Sequence, residues 1–175
     1  FTIPAELKPL ALRNRARFFD MLFAAASATL LQLGHDPERL GGLLGITAVL
    51  HTWTRSMTFH PHLHCIVTGG GLASDGARWV AARGRGRYLF PVKVMANLFR
   101  GKLLAALSRA RERGQLDFDG PCAHLAHPAD FARLKDDLYN KGWVVYCKPP
   151  FGGAEQVFRY LGRLRRRRRK RPYAG

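Results

Sequence analysis

The sequence predicts an α+β domain built on an antiparallel sheet, and three observations lead there. Apolar residues at helical spacing alternate along the chain with β-branched and aromatic runs, so both element types are present. Two strand-like runs, "GITAVLHTWTR" and "LHCIVTGGG", follow one another with no helix between them, which argues for antiparallel pairing. The 175 residues are 47% hydrophobic, enough for one domain with a real core.

Each element has its own signal. "FTIP" reads as a short strand closed by Pro4, and as a strand already in progress, as if a longer protein preceded it. "RARFFDMLFAAASATLLQLG" places Phe18, Met21, Leu22, Ala25 and Leu30 at helical spacing and stops at Gly34. "GLASDGARWV" holds a Ser-Asp-Gly turn between short extended pieces. A helix runs from Pro91 to Gly114, and another opens at Pro128 and ends at Gly142. "WVVYCKPP" is a strand halted by Pro149 and Pro150, and "GGAEQVFRYLGRL" is the last helix. Gly69, Gly70 and Gly71 are expected to form a turn rather than a phosphate cradle, since no helix N-terminus follows them.

The net charge is +17 and the pI about 11.0. Eight of those charges lie between Arg163 and Arg171, so the rest of the chain is still basic. A polyanionic partner, nucleic acid before membrane, fits this profile. Cys65, Cys122 and Cys147 form no CxxC pair and no disulfide framework, which points to a reducing cytoplasm. No run has transmembrane length and no signal peptide is visible.

The chemistry concentrates in "TFHPHLHCIVTGGG". His60, His62 and His64 fall at every second position, so a strand would carry them on one face, about 7 Å apart for neighbours. Imidazoles so placed can converge on one metal ion. In the last helix Gln156 and Tyr160 lie four apart on one face. Tyr160 also joins Val157, Leu161 and Leu164 in an apolar stripe, which would suit a half-buried packing tyrosine. A histidine-rich strand, a tyrosine on a C-terminal helix and a basic chain together suit the cutting of single-stranded DNA through a phosphotyrosine.

Four blocks, "FTIPAELKPL", "LGITAVLHTWTRSMTFHPHLHCIVTGGGLASDGARWV", "FPVKV" and "WVVYCKPPFGGAEQVFRYLGR", resemble the catalytic domain of rolling-circle insertion-sequence transposases. These are the two-tyrosine class of the HUH endonuclease superfamily. The resemblance implies a central antiparallel sheet flanked by helices, with the histidine strand central and the tyrosine helix beside it. It implies a bacterial, nucleoid-associated protein acting on single-stranded DNA at transposon ends, with no membrane partner. His62 and His64 become metal ligands, Tyr160 the first nucleophile, and Mg²⁺ or Mn²⁺ the metal. A third ligand is expected one helical turn before the tyrosine, at Gln156, ahead of His51 and His60. Lys148, Arg159 and Arg163 are candidate DNA contacts.

The chain departs from that pattern at two places. Family members typically carry an upstream cysteine-rich zinc-binding segment, which these residues do not include. The second tyrosine is expected four residues after Tyr160, where Leu164 stands, and "RRRRRKRPYAG" follows. The expected organisation is a catalytic domain over 1–163 and an arginine-rich, disordered or frameshifted tail over 164–175. Three other readings follow from the same residues: a degenerate inactive fragment, a noncatalytic single-strand binder that uses Trp53, Trp79, Trp143 and Tyr146 for stacking, and a phosphodiesterase that uses water in place of tyrosine.

Overall fold

The computed structural model describes residues 1–54, 56–82, 89–151, 153, 155–160 and 162. Four α-helices and one three-stranded sheet account for most of them: α1 (Lys8–Arg13), α2 (Arg15–His35), β1 (Leu43–Trp53), β2 (Phe59–Leu72), β3 (Trp79–Ala81), α3 (Val92–Glu112) and α4 (Pro128–Asn140). Short 3₁₀ turns cover Ala5–Leu7 and Gly120–Ala126. The sheet order is β1-β2-β3 with both pairings antiparallel, so the histidine-bearing strand is central. This is the expected α+β class.

The alternation of β1 and β2 assigns their two faces. Leu50 opposite Leu63, Ala48 opposite Cys65 and Ile46 opposite Val67 point into the core, where α2 and α3 supply Phe18, Leu22, Phe99 and Leu103. Val49 opposite His64 and His51 opposite His62 occupy the other face. One buried polar residue locks the helices: Asn14 donates to the Leu10 and Asp117 carbonyls and accepts from the Asp117 amide. Its polar atoms are thereby satisfied without water.

Beyond β2 the sheet continues in a looser form. Thr2 makes a single antiparallel bridge to His62, and the Leu63 amide donates to the Phe1 carbonyl. The Thr2 amide donates in turn to the Val144 carbonyl, 3.1 Å away. Residues 143–148 are therefore an extended segment that borders the sheet, not the strand expected from "WVVYCKPP". They alternate as a strand does, Trp143 and Val145 buried, Val144 and Tyr146 exposed. What is missing among the described residues is the ladder, and two prolines at 149 and 150 remove the donors that would carry the segment further.

The glycine run also differs from expectation. Gly69, Gly70 and Gly71 lie inside β2, not in a turn. A Cβ on Gly71 would sit 2.7 Å from the Gly42 carbonyl carbon, and one on Gly70 would sit 2.5 Å from the Val80 oxygen. Glycine is needed here because neighbouring backbones approach too closely for any side chain. The turn comes later, at Ser74-Asp75-Gly76, where Asp75 Oδ1 accepts from the Ala77 and Arg78 amides and Gly76 takes φ +69°. Gly34 stays within α2, which runs one residue further than expected, to His35.

Candidate active site

The β1–β2 register creates a cluster that neither strand holds alone. His51, His62 and His64 bring one ligand atom each within 4.8 Å of one another, all three half-buried. Their ring centroids lie 5.4 Å apart for His51 and His62, 4.4 Å for His51 and His64, and 5.0 Å for His62 and His64. His62 Nδ1 donates to the His60 carbonyl oxygen at 2.7 Å. A carbonyl only accepts, so Nδ1 carries the proton and Nε2 keeps the lone pair that a metal needs. This donor set fits a divalent cation. His60 is outside the cluster, and burial, with Lys8 and His62 nearby, lowers its pKa below the ordinary histidine value.

Tyr160 joins the cluster from the other end of the sequence. Residues 155–160 are helical, and the Tyr160 hydroxyl lies 2.9 Å from His64 Nδ1. The Phe151 ring packs on Tyr160 at 5.5 Å, and Lys148 Nζ stands 6.0 Å from its ring centroid. A groove of about 1330 Å³ opens over this place, lined by His62, His64, Thr68, Tyr146, Lys148 and Tyr160 among others. Burial raises the pKa of the Cys65 and Cys147 thiols, which keeps both neutral and weak as ligands or nucleophiles.

The other expected site residues divide. Gln156 is exposed and precedes Tyr160 by one helical turn, on the same helix face. Arg159 is exposed and paired with Glu155, 2.7 Å away. Arg163, Leu164 and the arginine tail lie outside the described residues. Sequence reasoning gave His51 as a competitor of Gln156 for the third ligand, and a signal for it was present. Once "GITAVLHTWTR" and "LHCIVTGGG" are aligned antiparallel, His51 falls opposite the histidine run.

Comparison with known proteins gives a consistent answer. Residues 45–168 match the family Y2_Tnp, described as "Putative transposase". The chain is 40% identical over 167 residues to "Putative transposase y4qJ" of Sinorhizobium fredii (strain NBRC 101917 / NGR234), covering 95% of this chain and 42% of that protein. It is 30% identical over 167 residues to "Transposase for insertion sequence element IS801" of Pseudomonas savastanoi pv. phaseolicola, covering 93% of this chain and 37% of that protein. The chain thus spans less than half the length of these relatives. No solved structure matches it. No described helix is long and apolar enough to cross a membrane.

Proposed function

This chain belongs to the Y2_Tnp family of transposases, and from that membership we propose that it cuts and rejoins single-stranded DNA at insertion-sequence ends through a phosphotyrosine at Tyr160. The observation that carries the proposal is the 2.9 Å contact between the Tyr160 hydroxyl and His64, within a three-histidine cluster on an open groove. Tyr160 Oη attacks phosphorus, the P–O3′ bond breaks, and the departing oxygen takes up a proton as a free 3′-hydroxyl. The ester formed keeps the energy of the broken bond, so attack by a 3′-hydroxyl reverses the step and rejoins a strand without ATP.

A phenol with its ordinary pKa near 10 needs help to ionise. A neutral His64 whose proton sits on Nδ1 donates to Oη, orients it and favours the phenolate. The phenol proton leaves through the open groove. His51, His62 and His64 would hold a divalent cation, Mg²⁺ or Mn²⁺, with Gln156 as a candidate oxygen donor. The chemistry that cation supplies when bound is polarisation of the scissile phosphate. Three imidazoles suit Mn²⁺ better than Mg²⁺, which prefers oxygen ligands.

The domain boundaries belong to the same proposal, catalytic over 1–163 and a basic tail after it. With Leu164 in place of a second tyrosine, one active site cuts and reseals but does not complete a two-step transfer. The test is incubation of the chain with a single-stranded oligonucleotide and Mn²⁺. The expected product is a denaturation-resistant adduct whose peptide mass maps to Tyr160. Free 5′-phosphate ends without an adduct would assign the nucleophile to water, and binding without cleavage would leave a noncatalytic binder or a degenerate enzyme.

A further inference from the structure

We propose that Tyr146 and Lys148 form a subsite that grips single-stranded DNA beside the attacked phosphate, Tyr146 stacking on a base and Lys148 pairing with a neighbouring phosphate. It rests on the reading of Tyr160 as the nucleophile.

The extended segment that carries both residues is pinned on its inner side. Trp143 is 7% exposed, packs edge-on against Phe99 at 5.5 Å, and donates its indole N–H to the Leu138 carbonyl at 2.9 Å. Val145 is buried to the same degree, and the Val144 carbonyl accepts from Thr2. Alternation then turns Tyr146 outward, 76% exposed, and Lys148 with it. Among the described residues no hydrogen bond or ring contact occupies Tyr146, so its phenol ring is open to a partner. Pro149 and Pro150 stiffen the next two positions.

The strip also leads to the chemistry. Tyr146 and Lys148 line the same groove as His62, His64 and Tyr160, and the Lys148 ammonium approaches the Tyr160 ring. An exposed aromatic followed by a cation two residues on is the pairing that single strands require: a π-face for an unstacked base and a charge for the backbone. Duplex DNA offers the phosphates but not the base faces, so it can use Lys148 and not Tyr146.

The experiment uses the full chain carrying Tyr160→Phe, with a chelator present, and a dT oligonucleotide bearing one 2-aminopurine. Tyr146→Ala is expected to weaken single-strand binding by about 5- to 150-fold and to relieve the 2-aminopurine quenching. Tyr146→Trp retains both, and Tyr146→Leu behaves like alanine although it keeps an apolar side chain. Duplex affinity stays level across the three variants. Lys148→Gln flattens the salt dependence of log K by about 0.7. Wild-type affinity in Tyr146→Ala, or in Tyr146→Leu, overturns the subsite. Because neither metal nor the nucleophilic oxygen is present, the two readings fail separately. A normal adduct at Tyr160 with Tyr146-independent binding removes only the subsite, and Tyr146-dependent binding without any adduct removes only the nucleophile.

Discussion

Replacing Tyr160 by phenylalanine separates its two possible roles, nucleophile and packing residue. The substitution deletes one oxygen and keeps the ring. The lost contact is the 2.9 Å hydrogen bond to His64. A neutral hydrogen bond contributes about 0.5–1.5 kcal/mol, and the half-exposed position lets water replace part of it, so the cost should fall near 0.5–1 kcal/mol. In a chain of this length that lowers Tm by roughly 1–4 °C. The Phe151 packing and the Lys148 contact involve the ring, and both persist. Adduct formation should nonetheless disappear, because the variant lacks the Oη that the proposed mechanism uses for attack. A fall of at least ~10³-fold is about 4 kcal/mol of transition-state stabilisation, far more than the folding cost. Differential scanning calorimetry and a denaturing gel with labelled oligonucleotide measure the two quantities on the same preparation. An adduct formed by the Phe variant would refute the reasoning. So would a Tm loss well beyond the hydrogen-bond range with cleavage intact, which would mark Tyr160 as a packing residue.

Three further outcomes follow from the geometry. His51→Ala, His62→Ala and His64→Ala should each weaken Mn²⁺ binding by at least ~10-fold in a calorimetric titration. His60→Ala should leave it nearly unchanged, since the hydrogen bond that fixes the His62 tautomer comes from the His60 backbone. Gly71→Ala, with its new Cβ 2.7 Å from Gly42, should cost about 1–3 kcal/mol in a guanidinium melt; an unchanged midpoint would mean the strands separate there freely. The third concerns pH: a hydrogen bond from Lys141, at 2.5 Å, holds Glu6 below its ordinary pKa of 4.5. A depressed carboxylate stabilises the fold above its unfolded pKa, and this is lost as pH falls through the lower folded value. Both side chains are more than a third exposed, so Glu6→Gln should cost no more than ~0.5 kcal/mol at neutral pH, with the difference vanishing in strong acid.

Helical spacing made α2, α3 and α4 legible, and for α3 and α4 Pro91, Pro128 and the glycines at 114 and 142 marked the ends because they act locally. The β1–β2 pair was legible for a similar reason: no helix fits between them. What local rules could not reach were tertiary approaches. The glycines at 69–71 carry a turn composition, yet the role of Gly70 and Gly71 depends on Val80 and Gly42 arriving from elsewhere in the chain. Residues 143–148 carry strand composition, and no sequence rule shows that their backbone partner among the described residues is the short stretch at residues 1–2. The same limit governed the site. His62 and His64 are periodic and easily seen, whereas His51 stands in another element and becomes a partner only through the register.

That register is where fold and chemistry meet. A slip of one residue between β1 and β2 would turn His51 toward the core and take it out of the cluster. Several features oppose such a slip at once. Leu50, Ala48 and Ile46 face Leu63, Cys65 and Val67, so a displaced strand would expose apolar side chains and bury polar ones. Gly42 and Gly71 approach so closely that a Cβ on Gly71 would sit 2.7 Å from the Gly42 carbonyl carbon, which a shifted register would bring against residues that carry side chains. At the opposite end Trp53 and Phe59 stack edge-on at 5.5 Å across a bulge that begins just after His51. Thr54 and Thr58 close the connection, with the Thr54 amide donating to the Thr58 carbonyl and the Thr58 amide to Thr54 Oγ1. The bulge increases local twist next to the histidines. The hydrophobic face, the glycine contact and the aromatic pair therefore act on the histidine cluster through the register. Damage to any of them should lower Mn²⁺ affinity in step with a broad loss of stability, whereas loss of His62 or His64 should lower affinity at a folding cost no larger than one hydrogen bond.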